Sequence, residues 1–316
     1  MVRHLLTLSE FSPAEIKRIF ELSTELKSKL RQGEREPLLA GCMMALLFEK
    51  QSLRTRVSFE TLMTHLGGGS QYLGADVGWG QREATCDFAR VLSSFVDVIV
   101  CRAKSHQTVE ELARFSSVPV VNALTDLAHP CQALADLFTL QELCGDLKDR
   151  KLAYIGDGNN VARSLAVCCG KLGVHLSIAS PAGYELGEAF LKRLRQEIPG
   201  VRIEQTNDPA TTVNDADAVY TDVWTSMGQE AERDERVKRF AGFQVNAALM
   251  KKAPPGAYFL HCLPAHRGEE VTDDVMDAPT SAVIQQAENR LHAQKGLIVW
   301  LLKEATAGSE KAKGKR

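Results

Sequence analysis

The strongest constraint on this chain is a repeated alternation of short apolar runs with segments of helical period. Residues 43–48, 96–101, 118–122, 151–156, 174–179, 218–221 and 257–261 are each about as long as one strand, and 201–204 is a weaker run of the same kind. Between them, apolar residues recur at helical spacing. Near-continuous apolar strands alternating with helices imply a parallel sheet covered on both faces. Two such series, joined by a long helix over residues 130–143, predict an α/β protein of two domains, each a parallel sheet flanked by helices. Ligands of such sheets bind at strand C-termini, so the expected active site is a cleft between the two domains.

The expected boundaries are 1–144 for the first domain and 145–285 for the second. A C-terminal helix over about 286–302 is expected to pack back on the first domain, and 303–316 to be a disordered tail. A chain of 316 residues is long enough for two cores of ordinary size. Its 38 cations and 40 anions leave a formal charge of −2, so no general basic field argues for nucleic acid. Cysteines 42, 86, 101, 131, 144, 168, 169 and 262 show no Cys-x-x-Cys spacing and read as free thiols of a reducing cytosol. No signal peptide pattern opens the chain and no apolar run matches a membrane span, so a cytoplasmic, soluble protein is expected.

Against that neutral background, a local anion site stands out. The run 43–48 gives way to Ser52-Leu-Arg-Thr-Arg56, after which Phe59, Leu62, Met63 and Leu66 mark a helix stopped by Gly67 to Gly69. Ser52, Arg54, Thr55 and Arg56 therefore lie at a helix N-terminus, where free N–H groups and the helix dipole favour a phosphate. The plainer reading is a capped helix with solvated arginines. Residues 67–80 are glycine-rich with little periodicity and predict an exposed, mobile loop.

Further polar clusters follow other strands. Arg102 ends one apolar run, and His129-Pro-Cys-Gln132 opens the long helix, where imidazole and amide could meet a carbonyl and an amide group. Gly156-Asp-Gly-Asn-Asn160 has the position of a nucleotide loop but lacks its third glycine; alternatively Asn160 offers an amide to a polar substrate. Asp222-Val-Trp-Thr-Ser-Met-Gly228 suits an amino-acid ligand, with Asp222 holding an ammonium group and Ser226 and Met227 closing over it, or is a surface loop around a core Trp224. His261, Cys262 and His266 are a candidate soft-metal trio that strand geometry would spread apart. Cys262 itself could be a nucleophile, a metal ligand or a polarizable wall, and Arg290 a surface ion-pair partner or a group reaching the cleft.

Taken in order, Ser52-Leu-Arg-Thr-Arg56, His129-Pro-Cys-Gln132, Asp222-Val-Trp-Thr-Ser-Met-Gly228, His261-Cys-Leu-Pro264 and Glu288-Asn-Arg290 resemble the aspartate/ornithine carbamoyltransferase family. Within it, the Ser-Met-Gly loop and the His-Cys-Leu-Pro turn point to the ornithine branch. The resemblance implies transfer of a carbamoyl group from carbamoyl phosphate to L-ornithine, with no cofactor, no metal and no covalent enzyme intermediate. By that resemblance Ser52, Leu53, Arg54, Thr55, Arg102, His129, Gln132, Cys262, Leu263 and Arg290 bind carbamoyl phosphate. Asn160, Asp222, Ser226 and Met227 would bind ornithine, and Arg102, His129, Cys262 and Asp222 would act at the reacting centre. It also implies a homotrimer in which residues 67–83 lie near the neighbouring subunit's site. Two departures are visible: Leu53 stands where the family usually has threonine, and Gly78 where a glutamine is usual, with Gln81 nearby.

Overall fold

The computed structural model describes residues 2–79, 82–225 and 230–304. The chain divides into two compact units, Met1–Ala135 with Arg290–Arg316, and Asp136–Asn289.

In the first unit, β1 (Met43–Phe48), β2 (Gly69–Leu73), β3 (Val98–Arg102) and β4 (Val120–Leu124) form a wholly parallel sheet in the order β2-β1-β3-β4. The strand β3 is buried throughout, its apolar run Val98–Cys101 and the closing Arg102 alike. Met44 pairs with Val98 and Phe48 with Arg102, so β1 and β3 end level. That register brings the turn before the helix Leu53–His65 and the side chain of Arg102 to one edge of the sheet. The first helix, Pro13–Arg31, begins with a capping box in which Ser12 and Glu15 satisfy each other's backbone N–H groups.

The glycine-rich stretch differs from expectation. Residues 69–73 are not a loop but the edge strand β2, parallel to β1. It carries no apolar run because its residues are only partly buried. The glycines serve close approach here. A Cβ on Gly68 would lie 2.5 Å from the Met63 methyl and 2.9 Å from the Cys42 carbonyl oxygen, and Gly67 has φ +78°. Gly80 and Gln81 lie outside the described residues.

In the second unit, β5 (Lys151–Ile155), β6 (His175–Ala179), β7 (Ile203–Thr206), β8 (Ala218–Thr221) and β9 (Tyr258–His261) are again all parallel, in the order β7-β6-β5-β8-β9. The chain builds outward from β5 to β7, then returns to the other side of β5 with β8. This reversal is a topological switch point, where ligands of open α/β sheets bind. Ile155 pairs with Thr221 and Thr221 with His261, so the residues after β5, β8 and β9 leave the sheet at the same edge. One side of this sheet packs Ile155, Val219 and Phe259 against Val245, Val271 and Val275. Tyr154 and Tyr220, fully buried and stacked with ring centroids 5.6 Å apart, occupy neighbouring strand positions.

Beyond β9, Phe259 forms a single parallel bridge with Ser281. The helix Val283–Val299 follows and continues as the π-helical turn Trp300–Glu304. Arg290 to Val299 belong to the first unit, where Gln294 bonds to Ser58 and Gly296 meets the helix Pro13–Arg31 at Ser23 and Ile19. Of the expected tail, Lys303 and Glu304 lie in the π-helical turn, and 305–316 are outside the described residues. No described helix is long and apolar enough to cross a membrane.

Candidate active site

The site residues of the first unit gather at the ends of β1 and β3 and at two helix N-termini. Ser52 is the N-cap of Leu53–His65; its hydroxyl accepts from the Thr55 N–H and donates to the Thr55 Oγ1 at 3.0 Å. Thr55 is buried and Arg54 half-buried. Leu53 points outward and is 75% exposed, so its side chain contributes nothing to the helix mouth. Arg56 turns away as well, pairing with Glu60 at 3.0 Å and lying over the Tyr72 ring at 4.0 Å.

Arg102, at the end of β3, is buried beside Arg290 and Arg54. Burial and repulsion by those two guanidinium groups push its pKa down to about 10. His129 is buried at the start of the helix Pro130–Cys144, and burial followed by Arg290 and Arg102 holds its imidazole far below its ordinary range. It is therefore neutral at physiological pH and can donate one proton to a ligand without carrying charge. Buried Gln132, one helical turn on, receives a hydrogen bond from Arg290 Nη1. Several guanidinium groups and an imidazole crowded at a helix mouth have the chemistry that suits an anion.

Two residues that sequence reasoning missed hold His129 in place. Asn122 is fully buried; its amide donates to the Leu6 carbonyl at 2.9 Å and, at longer range, to Thr125 and the Ala128 carbonyl. Thr125 Oγ1 accepts from the Ala128 N–H and lies 2.8 Å from His106 Nδ1. The turn between β4 and the helix is thus tied down on both sides. A polar residue inside an apolar strand, Asn122, was the only available signal.

The second unit presents a different chemistry. Asp222 follows β8 and is 6% exposed. One of its oxygens accepts from the Val223 N–H at 2.8 Å and from the Cys262 thiol at 2.9 Å; the other accepts from the Asn159 amide at 2.8 Å. Burial and then the Asp222 carboxylate raise the Cys262 pKa well above its ordinary value, so the sulfur is a thiol that donates. Tyr220 stands beside Cys262, and its hydroxyl donates to buried Asp136 at 3.1 Å. Gln286 completes that layer, donating to Asp136 at 2.6 Å and accepting from the His261 N–H.

Asn160, the expected substrate amide, is the first residue of the helix Asn160–Leu172 and is half-buried. Its neighbour Asn159 is the one that reaches Asp222. Ser226 and Met227 lie outside the described residues. The loop they follow is anchored through buried Arg236, which binds the Trp224 carbonyl at 3.0 Å and Asp157 at 2.9 Å.

The nucleotide-loop alternative gains no support at Gly158. A Cβ on Gly158 would meet the backbone of Glu185 and Leu186 at 2.6 Å, and the Gly158 N–H donates to the Tyr184 carbonyl. The close neighbour that this glycine admits is thus the chain's own backbone. The trio His261, Cys262 and His266 is dispersed, as strand geometry implies. His261 is buried, with Nδ1 accepting from the Leu263 N–H and Nε2 against Glu270; Cys262 faces Asp222, and His266 is exposed. That tie to His261 holds Leu263, at φ +56°, next to the Asp222–Cys262 pair. His266, Glu269 and Glu270 offer ligand atoms within 4.8 Å of one another, but Glu269 already pairs with Arg233 and Glu270 with His261.

A parallel α/β protein with a cationic helix mouth in one unit and a carboxylate–thiol pair in the other is the class these features define. Residues 3–142 match the carbamoyl-phosphate-binding domain of aspartate/ornithine carbamoyltransferases, and residues 148–301 their aspartate/ornithine-binding domain. The chain belongs to the aspartate/ornithine carbamoyltransferase family. It is 53% identical over 303 residues to the ornithine carbamoyltransferase of Anoxybacillus flavithermus, covering 95% of this chain and 96% of that one. It is 50% identical to the anabolic ornithine carbamoyltransferase of Pyrococcus furiosus with the same coverage. A solved structure of ornithine carbamoyltransferase from Pyrococcus furiosus superposes with a TM-score of 0.91 over 94% of this chain and 96% of that one, at 50% identity. That from Thermus thermophilus gives 0.86 over 96% and 100%, at 45% identity.

Proposed function

We propose that this protein transfers the carbamoyl group of carbamoyl phosphate to the δ-amine of L-ornithine, giving L-citrulline and phosphate. The observation that carries the reading is the pairing of two unlike sites in a chain of this family. One is a crowded cationic helix mouth; the other is a buried carboxylate bonded to a thiol and an amide.

Ser52, Arg54, Thr55 and the N–H groups of their turn, Leu53 included, hold the phosphate. Arg290, bonded to Gln132, adds charge near the carbamoyl amide that Gln132 orients. Arg102, neutral His129 and Thr55 face the carbonyl oxygen, with Cys262 and Leu263 lining the reacting centre. Asn160, Asp222, Ser226 and Met227 hold ornithine, and Asp222 and Cys262 are the polar partners of its amine. The neutral δ-amine attacks the carbamoyl carbon directly, its C–N bond forming as charge passes to the carbonyl oxygen. That charge then returns, expelling phosphate, and the nitrogen gives up a proton. Donors already aimed at the oxygen and at the phosphate stabilise this path, and the raised pKa of Cys262 argues against a thiolate nucleophile. Free ornithine is protonated at its δ-amine near neutral pH, so the rate should climb with pH until that proton is lost.

The biosynthetic direction, arginine biosynthesis in the cytoplasm, is supported by the anabolic name of the Pyrococcus furiosus relative and by the free state of all eight cysteines. Assembly as a homotrimer through the first unit, with residues 67–83 near a neighbour's site, is supported by exposed apolar side chains there. Leu53 and Val57 stand on one helix, and Val91 and Phe95 on another, Phe95 being 72% exposed. The deciding experiment is a steady-state assay for citrulline with purified protein and carbamoyl phosphate, comparing ornithine with acetylornithine, putrescine and aspartate. Turnover confined to ornithine is expected; no citrulline from ornithine would sink the proposal.

A further inference from the structure

Asn159 carries an inference that goes past the residues assigned above, although it rests on the same functional reading. Its side chain performs two tasks at once. Oδ1 accepts from the N–H groups of Val161 and Ala162 at 2.9 and 3.1 Å, capping the helix Asn160–Leu172, and from the Tyr154 hydroxyl at 3.5 Å. The opposite edge, Nδ2, donates to Asp222 at 2.8 Å. An amide can usually turn over by 180° with little change in shape. Here it cannot, because a flipped Asn159 would aim its NH₂ at two backbone N–H groups and its oxygen at a carboxylate.

The carboxylate it faces has a countable number of places left. A carboxylate has about four acceptor positions in its plane. On one oxygen of Asp222, the Val223 N–H and the Cys262 thiol take both. On the other oxygen, Asn159 takes one, and a single position remains. None of these three donors bears a positive charge.

We propose that Asn159 is a positioning residue for the substrate amine: its locked amide fixes the plane of the Asp222 carboxylate and leaves one acceptor position, on the oxygen it touches, for that amine. The orientation is inherited from a helix cap, which is built by folding and costs nothing to reset at each turnover. The ionisable neighbours of Asp222 are Cys262, Tyr154, Tyr220 and Asp157, the last paired with Arg236. The group in direct contact with the second oxygen is the neutral amide of Asn159, held by the helix cap.

The test uses two variants that keep the cap. Serine and aspartate both cap helices about as well as asparagine. Asn159→Ser keeps an acceptor for the helix but cannot reach Asp222; Asn159→Asp reaches it with a like charge. With carbamoyl phosphate saturating, we expect Asn159→Ser to lower kcat/KM for ornithine by about ten-fold, with KM for carbamoyl phosphate unchanged. Asn159→Asp should lose more, because it sets a second negative charge against the Asp222 carboxylate. Thermal melts of both variants should match the parent. If both fold normally and retain the parent's ornithine kinetics, Asn159 is a helix cap only and the proposal is overturned. Should Asn159→Asp fail to fold, Asn159→Ser decides alone by the same KM split.

Failure of the functional reading is separable. A parent protein making no citrulline would discard that reading, and the Asn159–Asp222 link would then be judged by alkylation of Cys262 with iodoacetamide, followed on its peptide at pH 9. Slower alkylation in Asn159→Asp than in the parent supports the link through added negative charge. Equal rates overturn it.

Discussion

The two units solve opposite electrostatic problems at the same place in the same architecture. Both put their polar residues where parallel strands end. In the first, Arg290 and Arg54 add to burial in lowering the proton affinity of Arg102, and Arg290 and Arg102 do the same to His129. In the second, Asp222 is held by neutral donors: an amide, a thiol and a backbone N–H. The first arrangement gathers positive charge, and the second holds a negative charge with donors that carry none. Rigid strand ends make both possible, since a flexible scaffold would relax the cations apart and the carboxylate into water.

The comparison breaks most visibly if a cation is removed. Arg102→Ala should cost about a thousand-fold in kcat/KM for carbamoyl phosphate, the scale of losing a preorganised charged donor. Its melting temperature should change little, because repulsion from Arg290 and Arg54 is relieved as contacts are lost. A loss under ten-fold, measured with ornithine saturating, would show that Arg102 does not face the reacting group.

Next in size is Asp222→Asn. It preserves shape but removes the charge, and kcat/KM for ornithine should fall about a hundred-fold while carbamoyl phosphate affinity stays as it was. Equal damage to both substrates would erase the division of labour between the units.

Cationic crowding in the first unit extends beyond the site, and that offers a smaller test. Lys295, 2% exposed, has its pKa pushed down to about 8 by burial and by Arg35. A lysine whose folded pKa lies below its unfolded value of 10.5 opposes folding most strongly below pH 8. Stability should therefore rise between pH 8 and pH 10.5, where the unfolded chain binds the extra proton. Lys295→Met should stabilise the protein at pH 7 by on the order of 1–2 kcal/mol, with the gain vanishing near pH 10.5. Melting curves across that range would expose a pH-independent gain, which would point to packing instead of charge.

The smallest effect is expected at Leu53. Its side chain is outside the helix mouth, so Leu53→Thr should leave carbamoyl phosphate binding at least as tight, within about two-fold. Markedly weaker binding by calorimetry would mean that the turn is built differently when occupied.

How legible these features were depended on how local their causes are. Strands β1, β3, β5, β6, β8 and β9 were readable because buried parallel strands need unbroken apolar runs. Ser52 and the Pro130 helix start were readable because caps need particular residues at particular offsets. Strand β2 was not, since an edge strand with glycines placed for close approach to Cys42 and Met63 looks like a loop. The contact of Asn159 with Asp222 was not legible either. Two adjacent asparagines at a helix start differ only in which one is the N-cap, and that is decided by backbone geometry.

By itself, then, the sequence determined the alternation of strands and helices, the two-sheet architecture, the helix mouth and the order of family motifs. Each depends on residues close together in the chain. Only the tertiary structure decided the rest. Level strand ends at Phe48 and Arg102 set the cationic cluster, and the reversal of strand order between β5 and β8 brought Asn159 to Asp222. Arg290 met Gln132 across 158 residues of chain. Charge repulsion, carboxylate orientation and amide locking act over a few ångströms of space, and no spacing along the chain encodes those distances.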